Sequence, residues 1–209
     1  ARQAAESEPQ APPSPPPTLP SERGLALPAK VVGRQVRPSR DGEFPPTYWA
    51  GVNLGSSVPG KDPGQVAATR SDYDRWFTQM GELGVGVVRV YTILSPAFYD
   101  ALRDYNLRHA ARPLYVLHGI WIPEERWYAT GNAWDPQVVR AMRSEIADAV
   151  AVVHGDAQIP YVRGHAAGVY RSDISPWMLG WSFGIEWDPA SVIATNAKNA
   201  GRRARSPGT

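Results

Sequence analysis

The chain has 209 residues, a formal net charge of +2 and 43% hydrophobic residues, which is enough for one domain with a buried core. It contains no cysteine, which excludes disulfides and thiolate metal sites, and it shows no basic stripe that would indicate nucleic-acid binding. No apolar run approaches the ~18 residues that a membrane-spanning helix needs.

The two ends of the chain are predicted to be disordered. Residues 1–30 are rich in Pro, Ala, Ser and Glu, with the run APPSPPP at positions 11–17. This composition buries too little surface to offset the entropy lost on ordering. It predicts a Pro-rich linker, which would lead to an upstream anchor or domain, or a plain disordered tail. Residues 200–209 lack apolar periodicity and are predicted to be a second tail, which leaves residues 31–199 as the folded domain.

The first half of this domain alternates between strand and helix patterns. A small hairpin or lead-in strand is predicted within residues 31–47, and the first core strand at residues 48–55. A helix follows from about Asp72, with Ser71 or Asp72 as its N-cap and Gly84 at its end. Its apolar stripe comprises Tyr73, Trp76, Phe77, Met80 and Leu83.

Further strands are predicted at residues 85–91, 113–121 and 177–187. One helix opens at Ser95-Pro96 and a longer one at Asp135-Pro136. The buried stripes of these two helices comprise Phe98, Leu102 and Tyr105, and Val139, Met142, Ile146, Val150 and Val153.

The remaining connections differ in character. Residues 123–134 are predicted as a polar aromatic loop, and residues 190–199 as the start of another helix. The long connection at residues 154–175 is either functional or carries a hairpin of its own.

The order β-α-β-α-β-α-β predicts parallel strands joined by helical crossovers, and therefore the α/β class. Two architectures compete, an open doubly wound sheet and part of a (β/α)8 TIM barrel. A full barrel needs ~250 residues, whereas residues 31–199 supply about four βα units, or a partial barrel. The glycine fingerprints of nucleotide-binding loops are absent, which weakens the nucleotide-binding form of the open sheet.

Polar and aromatic side chains end all four predicted strands. They are Asn53 on the first strand, Arg89 and Tyr91 on the second, His118 and Trp121 on the third, and Glu186 and Trp187 on the fourth. Aromatic rings stack on sugar faces, amide and guanidinium groups bind hydroxyls, and a carboxyl group transfers a proton, so this set is typical of a sugar site. The alternative is that Glu186 simply ends a strand and faces water.

Three stretches carry a resemblance to a known family. They are GVNLG at positions 51–55, VRVY at 88–91 and LGWSFGIEWDP at 179–189. They resemble the first, second and fourth strands of the catalytic TIM barrel of retaining glycoside hydrolases, most closely the family 2 type and its bacterial relatives. The resemblance implies that Arg89 helps to hold the catalytic carboxylates and that Glu186 is the acid/base. Position 185 is Ile where the family pattern has Asn.

By this resemblance the chain is a glycoside hydrolase-like domain acting on O-glycosidic bonds of a poly- or oligosaccharide by a retaining mechanism. The implied substrate-binding residues are Asn53, Arg89, Tyr91, His118, Trp121 and Trp187. The nucleophile would come from a seventh strand, so the chain is expected to carry half of an active site. The carbohydrate chemistry together with the linker favours an extracellular or cell-envelope location.

Two rival functions remain open. One is a non-catalytic carbohydrate-binding or remnant half barrel, and the other is an open-sheet enzyme of another reaction type. No cofactor and no metal are predicted, because His154, Asp156, His165 and Asp173 fit no closed ligand spacing.

Overall fold

Two short antiparallel hairpins lead into the domain in the computed structural model, which describes residues 15–16, 18–19, 21–22, 24–122, 124–184 and 186–201. Strands β1 (Ser21–Glu22) and β2 (Leu25–Ala26) form the first hairpin, and β3 (Ala29–Val32) and β4 (Gln35–Pro38) form the second. The predicted small hairpin is therefore present. It begins before residue 31, so residues 21–30 contribute strands where the composition predicts a linker.

Most of the predicted disordered ends cannot be compared with the structure. Residues 1–14 of the predicted linker and residues 202–209 of the predicted tail lie outside the described residues.

Six further strands follow along the chain. They are β5 (Gly51–Asn53), β6 (Val87–Val90), β7 (Tyr115–Ile120), β8 (Ala157–Ile159), β9 (Gly168–Tyr170) and β10 (Met178–Phe183). Strands β8 and β9 pair as an antiparallel hairpin, which confirms that the long connection carries a hairpin of its own.

The other four strands form one parallel sheet in the order β10-β7-β6-β5. Strands β6, β7 and β10 each pair with the strand that precedes them among the four, and the predicted α/β class with parallel strands is confirmed.

Five α-helices lie within the described residues. They are α1 (Arg70–Glu82), α2 (Pro96–Arg108), α3 (Glu124–Thr130), α4 (Pro136–Val153) and α5 (Pro189–Lys198). Ser95 and Asp135 are the N-cap residues of α2 and α4, which is where the Ser-Pro and Asp-Pro pairs predict helix starts. None of the helices in the described part of the chain is both long enough and apolar enough to cross a membrane.

The ends of α1 follow capping chemistry, with one correction at its start. Thr69 is the N-cap rather than Ser71 or Asp72, because Thr69 and Asp72 form a reciprocal capping box. At the other end Gly84 has a φ of 75° and donates to the carbonyl of Gly81, while Val85 donates to the carbonyl of Met80. These two bonds form a Schellman motif, which confirms Gly84 as the stop signal.

Three predictions about buried residues and loops are wrong. Leu83 is 79% exposed, because it is the C-cap and no longer on the helical stripe. Val150 is 40% exposed, because the buried side of α4 is rotated toward Val138, Ala149, Val152 and Val153. The predicted loop at residues 123–134 contains α3, whose Trp127 packs in a small cluster with Ile122 and Val138.

The two faces of the sheet are covered differently. Val88, Val90 and Val116 belong to the main core, which also contains the buried faces of α1, α2 and α4. Strand register places Asn53, Arg89 and Leu117 beside one another, one position out of step with those valines and hence on the other face. The β3–β4 hairpin contacts the sheet at β10, and the side chain of Trp49 donates to the carbonyl of Val36 in that hairpin at 2.8 Å.

Candidate functional site

A cleft of about 840 Å³ opens where the parallel strands end, and we call it the strand-end cleft. The carboxyl edge of a parallel sheet is where α/β proteins bind their ligands. Loops after the strands, helix α4 and the β8–β9 connection supply the lining residues: Leu54, Gly55, Ser56, Ser57, Pro63, Gly64, Tyr91, Thr92, Leu94, Trp121, Ala141, Glu145, Gly164, His165 and Glu186. Among these residues the charged side chains are two glutamates and one histidine, without Lys or Arg.

Glu186 enters the cleft from the turn that follows β10. Its side chain is exposed, and its backbone has a φ of 55°, in the left-handed region. This conformation costs a non-glycine residue roughly 1–2 kcal/mol, and such strain is concentrated at functional sites. The chain therefore holds a carboxyl group at the cleft in a backbone conformation that glycine would adopt with less strain.

The second carboxylate of this segment, Asp188, has a different role. It is the N-cap of α5, where its Oδ2 accepts hydrogen bonds from the Ser191 backbone N–H at 2.7 Å and from the Ser191 hydroxyl at 2.8 Å. These bonds from Ser191 lower the pKa of Asp188. Asp188 starts the helix that fixes the turn of Glu186, and it does not line the cleft.

Two aromatic side chains face the strand-end cleft together with Glu186. Tyr91 follows β6 and Trp121 follows β7, and both are half-buried. The guanidinium of Arg89 lies 4.5 Å from the centre of the Tyr91 ring, which holds that ring in place through a cation–π contact. The structure therefore brings together three of the predicted residues: Tyr91, Trp121 and Glu186.

Sequence reasoning did not assign Glu145 and His165 to this cleft, where they form a close pair. Nε2 of His165 lies 3.1 Å from Oε2 of Glu145, and the Thr92 hydroxyl donates to Oε1 of the same carboxylate at 3.3 Å. Glu145 comes from α4, His165 from the β8–β9 connection and Thr92 from the loop after β6. The pair therefore ties together three segments that form the wall of the cleft.

The hydrogen bonds of His165 fix its charge. Nδ1 lies 2.7 Å from the carbonyl oxygen of Ala166, and Nε2 faces the carboxylate of Glu145. The carbonyl oxygen and an ionised carboxylate are both acceptors, so this geometry favours the doubly protonated imidazolium. The hydrogen bond to Glu145 accordingly raises the pKa of His165, and Asp148 acts in the same direction.

His118 is not at the cleft, although it belongs to a strand that ends there. It is fully buried on the core face of β7, where Nδ1 donates to the Gly119 carbonyl at 2.8 Å. With the proton on Nδ1, Nε2 accepts a hydrogen bond from the Tyr99 hydroxyl at 2.9 Å, and that hydroxyl in turn accepts from the Leu94 N–H. This arrangement suits a neutral imidazole, and burial lowers the pKa of His118 to about 4.

Asn53 and Arg89 line a different space, which we call the hairpin-side cavity. It measures about 770 Å³ and lies between the β3–β4 hairpin and the sheet face that points away from the main core. Nη1 of Arg89 donates to Oδ1 of Asn53 at 3.3 Å. The two side chains therefore hold each other on the opposite face of the sheet from the main core.

Trp187 also lies away from both spaces. Its ring packs edge-on against Trp127 of α3, with ring centres 5.4 Å apart. It also lies so close to Gly184 that a Cβ at that glycine would fall 2.7 Å from the ring. Trp187 therefore packs the turn that presents Glu186 onto α3.

The histidines and aspartates of the long connection are dispersed. His154 lies 4.0 Å from Asp173, whereas His165 pairs with Glu145. Within the described residues no three His, Asp or Glu side chains come close enough to hold one metal ion.

The strand-end cleft thus combines one exposed carboxyl group, a paired imidazolium and carboxylate, and two aromatic faces. No protein-family model, curated protein or solved structure matches the chain. The chemistry of the cleft therefore has to be inferred from its own residues.

Proposed function

We propose that the chain is a glycoside hydrolase-type domain whose strand-end cleft binds a sugar chain, with Glu186 as the residue that exchanges a proton with the glycosidic oxygen. The observation that carries this proposal is that Glu186 lines the same cleft as Tyr91 and Trp121. Aromatic faces stack on the apolar faces of sugar rings, and an exposed carboxyl group beside them can reach the oxygen between two rings.

The order of the strands supports the barrel form of this proposal. In the parallel sheet β5, β6, β7 and β10 lie side by side in chain order, and α1, α2 and α4 share one core with a single face. A doubly wound sheet reverses its strand order and carries helices on both faces. Strands added in sequence with helices on one side are the arrangement of a (β/α)8 barrel, so we propose that these are its first four units.

A retaining mechanism needs a second carboxylate ~5–5.5 Å from the acid/base. Glu145 is the other carboxylate that lines the cleft, and hydrogen bonds from His165 and Thr92 engage both of its oxygens. We therefore assign Glu145 to holding the wall of the cleft. The nucleophile is proposed to come from a seventh strand, as the family resemblance implies.

One observation favours a second candidate, carbohydrate binding without hydrolysis. Of the two carboxylates that line the cleft, Glu145 is engaged by protein groups, which leaves Glu186 for chemistry. One carboxyl group and two aromatic rings are sufficient to bind a sugar, but they do not supply both groups of a retaining mechanism.

The test is to measure binding and hydrolysis separately. A panel of cello-, xylo-, manno- and chito-oligosaccharides is titrated by calorimetry, and the same sugars as chromogenic glycosides report hydrolysis. We expect Tyr91→Ala to abolish binding by this chain. In a longer chain that also supplies the nucleophile strand, we expect Glu186→Gln to abolish hydrolysis while binding is retained. The matched control is Glu125→Gln, which neutralises a carboxylate of α3 that does not line the cleft.

Each outcome decides between the candidates. Hydrolysis that depends on Glu186 supports the catalytic form. Binding that depends on Tyr91 without hydrolysis by this chain or by a longer chain supports the binding form. If none of the sugars binds or is cleaved, the carbohydrate proposal is wrong.

A further inference from the structure

The hairpin-side cavity has walls unlike those of the strand-end cleft. Its apolar surface is provided mainly by the side chains of Trp49 before β5 and Leu117 of β7, both half-buried. Its volume of about 770 Å³ is in the range of pockets that hold small molecules. The apolar floor can therefore accept a hydrocarbon chain or a ring, which would remove these half-buried surfaces from water.

The charged residues that line this cavity all have the same sign. They are Lys30 and Arg34 of the hairpin and Arg89 of the sheet, and the lining residues include neither Asp nor Glu. The whole chain has 22 Lys and Arg against 20 Asp and Glu, so three cations without an acid are a local concentration of charge. A space lined in this way attracts an anion.

Arg89 is the cation best placed to bind such an anion. It is half-buried and lies over the Tyr91 ring, which fixes the direction of its guanidinium. A guanidinium has five N–H donors, and the hydrogen bond to Asn53 engages Nη1. The remaining donors can form charge-assisted hydrogen bonds, which are about twice as strong as neutral ones.

We propose that the hairpin-side cavity binds an amphipathic anion, a molecule with one carboxylate on an apolar tail, with the carboxylate on Arg89 and the tail against the tryptophan and leucine floor. This site is separate from the proposed sugar cleft, although Arg89 also contacts the Tyr91 ring of that cleft, and it requires that this face of the sheet stays open rather than lining the interior of a closed barrel. A second copy of the chain is a poorer occupant, because a symmetric contact through this face would bring the same three cations against one another.

The experiment compares three probes that share one tail: octanoate, octylammonium and 1-octanol. Each is titrated into the full chain by calorimetry, below the concentration at which it aggregates. We expect octanoate to bind about tenfold more tightly than 1-octanol, since one charge-assisted hydrogen bond contributes on that scale. Octylammonium should bind least tightly of the three, because it meets three cations.

Variants locate the site. Arg89→Gln removes the guanidinium charge and should remove the preference for octanoate over 1-octanol. Arg34→Gln changes an exposed hairpin residue that cannot disturb the core, and it should weaken octanoate binding about two- to threefold. Lys61→Gln, at an exposed loop residue outside the cavity, should leave all three affinities unchanged.

Equal affinities for the three probes would overturn the proposal, and so would an octanoate affinity that Arg89→Gln and Arg34→Gln leave unchanged. Light scattering on the chain without ligand measures whether a second copy of the chain binds instead. Dimerisation that Val31→Asp abolishes, at an exposed hairpin residue of the cavity, and that octanoate does not inhibit, would assign the cavity to a second copy instead.

Discussion

The strand-end cleft and the hairpin-side cavity are similar in volume and opposite in charge, although one sheet supplies residues to both. The cleft is lined by two glutamates and one histidine, which pairs with Glu145, whereas the cavity is lined by three cations. Arg89 and Tyr91 are only two residues apart, yet Arg89 lines the cavity and Tyr91 lines the cleft, because β6 ends at Val90. Within β6, strand alternation places Arg89 on the sheet face that points away from the main core. Tyr91 follows the end of the strand and therefore lies at the carboxyl edge of the sheet.

The two regions also differ in how they are held. The cleft lies on the main core and is closed by side chains that join α4 to two loops. The cavity is bounded by a hairpin whose Val31 is 71% exposed and by the uncovered face of the sheet. We therefore expect mutations on the core side to affect stability, and mutations on the hairpin side to affect ligand binding with little effect on stability.

The largest expected effect comes from comparing two leucines in the same stretch of chain. Leu114 is fully buried, whereas Leu117 of β7 is half-buried and lines the hairpin-side cavity. Leu114→Ala should lower the free energy of unfolding by about 2–5 kcal/mol, and Leu117→Ala by about 1 kcal/mol, since only the first leaves a closed cavity. Urea denaturation measures both.

The side chain of Asn106 forms hydrogen bonds with both the N–H and the carbonyl of Leu114. The backbone at Leu114 should therefore stay in place in Leu114→Ala, so that the measured loss reflects the side chain alone. Equal losses for the two alanine variants would show that the hairpin covers its face of the sheet as tightly as the helices cover theirs.

The next effect concerns pH and the buried His118. Its pKa is lowered to about 4 in the folded chain, below the ordinary value of 6.5. As pH falls from about 6.5 to about 4, the unfolded chain binds a proton that the folded chain excludes, so stability is lost over that window, by roughly 3 kcal/mol in total. Denaturant titrations at several pH values give the free energy of unfolding of the wild type and of His118→Gln. The difference between the two proteins should change by this amount between about pH 6.5 and about pH 4. A difference that does not change with pH would show that folding leaves the pKa of His118 unshifted.

His165 should give a smaller effect of opposite sign. Its pKa is raised in the folded chain, chiefly by Glu145, so its contribution is fully present below the ordinary value of 6.5 and is lost as pH rises through the raised value. We expect His165→Ala to cost about 1–2 kcal/mol at about pH 5.5 and less at about pH 9. A double-mutant cycle with Glu145→Gln isolates the pair from other groups such as Asp148. An equal cost at both pH values would show that the ring acts through packing rather than charge.

The sequence predicts much of the fold, because its signals are local. Tyr73, Phe77 and Met80 mark one face of α1, and Gly84 stops that helix, as a residue free to adopt a positive φ can. Helix α3 is missed, because the run after Pro123 is short and its only apolar anchor, Trp127, packs against residues distant in the chain. Short hairpins such as β3–β4 also have little periodicity of their own.

The residues of the candidate site were also predicted only in part. Glu186, Tyr91 and Trp121 follow recognisable strands, and the structure places them in one cleft. The Glu145–His165 pair joins residues 20 apart on different elements, and periodicity carries no information on that contact. One signal could have found it: Glu145 is a charged residue beside Ile146 and one turn from Ala149, on the side of α4 that meets the core.

The burial of His118 was also readable from the sequence. Val116, His118 and Ile120 alternate on one face of β7, and the two apolar neighbours place that face in the core. The chemistry of its side chain predicted a sugar ligand, but strand alternation decides where the side chain lies. For the same reason Arg89 and Asn53, which share a register position, lie together in the other cavity.

The smallest expected change in stability comes from glycine substitutions at residues with a positive φ, and these variants test the functional role of Glu186. Two non-glycine residues of the described chain have a positive φ, Glu186 at 55° and Asp41 at 50°, and Asp41 lies outside the strand-end cleft. Glycine relieves roughly 1–2 kcal/mol of strain at such a position and loses about 0.4–1 kcal/mol through the greater freedom of the unfolded chain. Glu186→Gly and Asp41→Gly should therefore both leave stability equal or raised by up to about 1.5 kcal/mol.

Only Glu186→Gly should abolish activity on the sugar that the cleft binds, because only Glu186 supplies a carboxyl group there. Glu186→Gln keeps the strained backbone, so its stability should equal that of the wild type. If Glu186→Gly instead destabilises the chain by more than about 1 kcal/mol while Asp41→Gly does not, the Glu186 side chain supports the fold, and the strain would no longer favour a functional role.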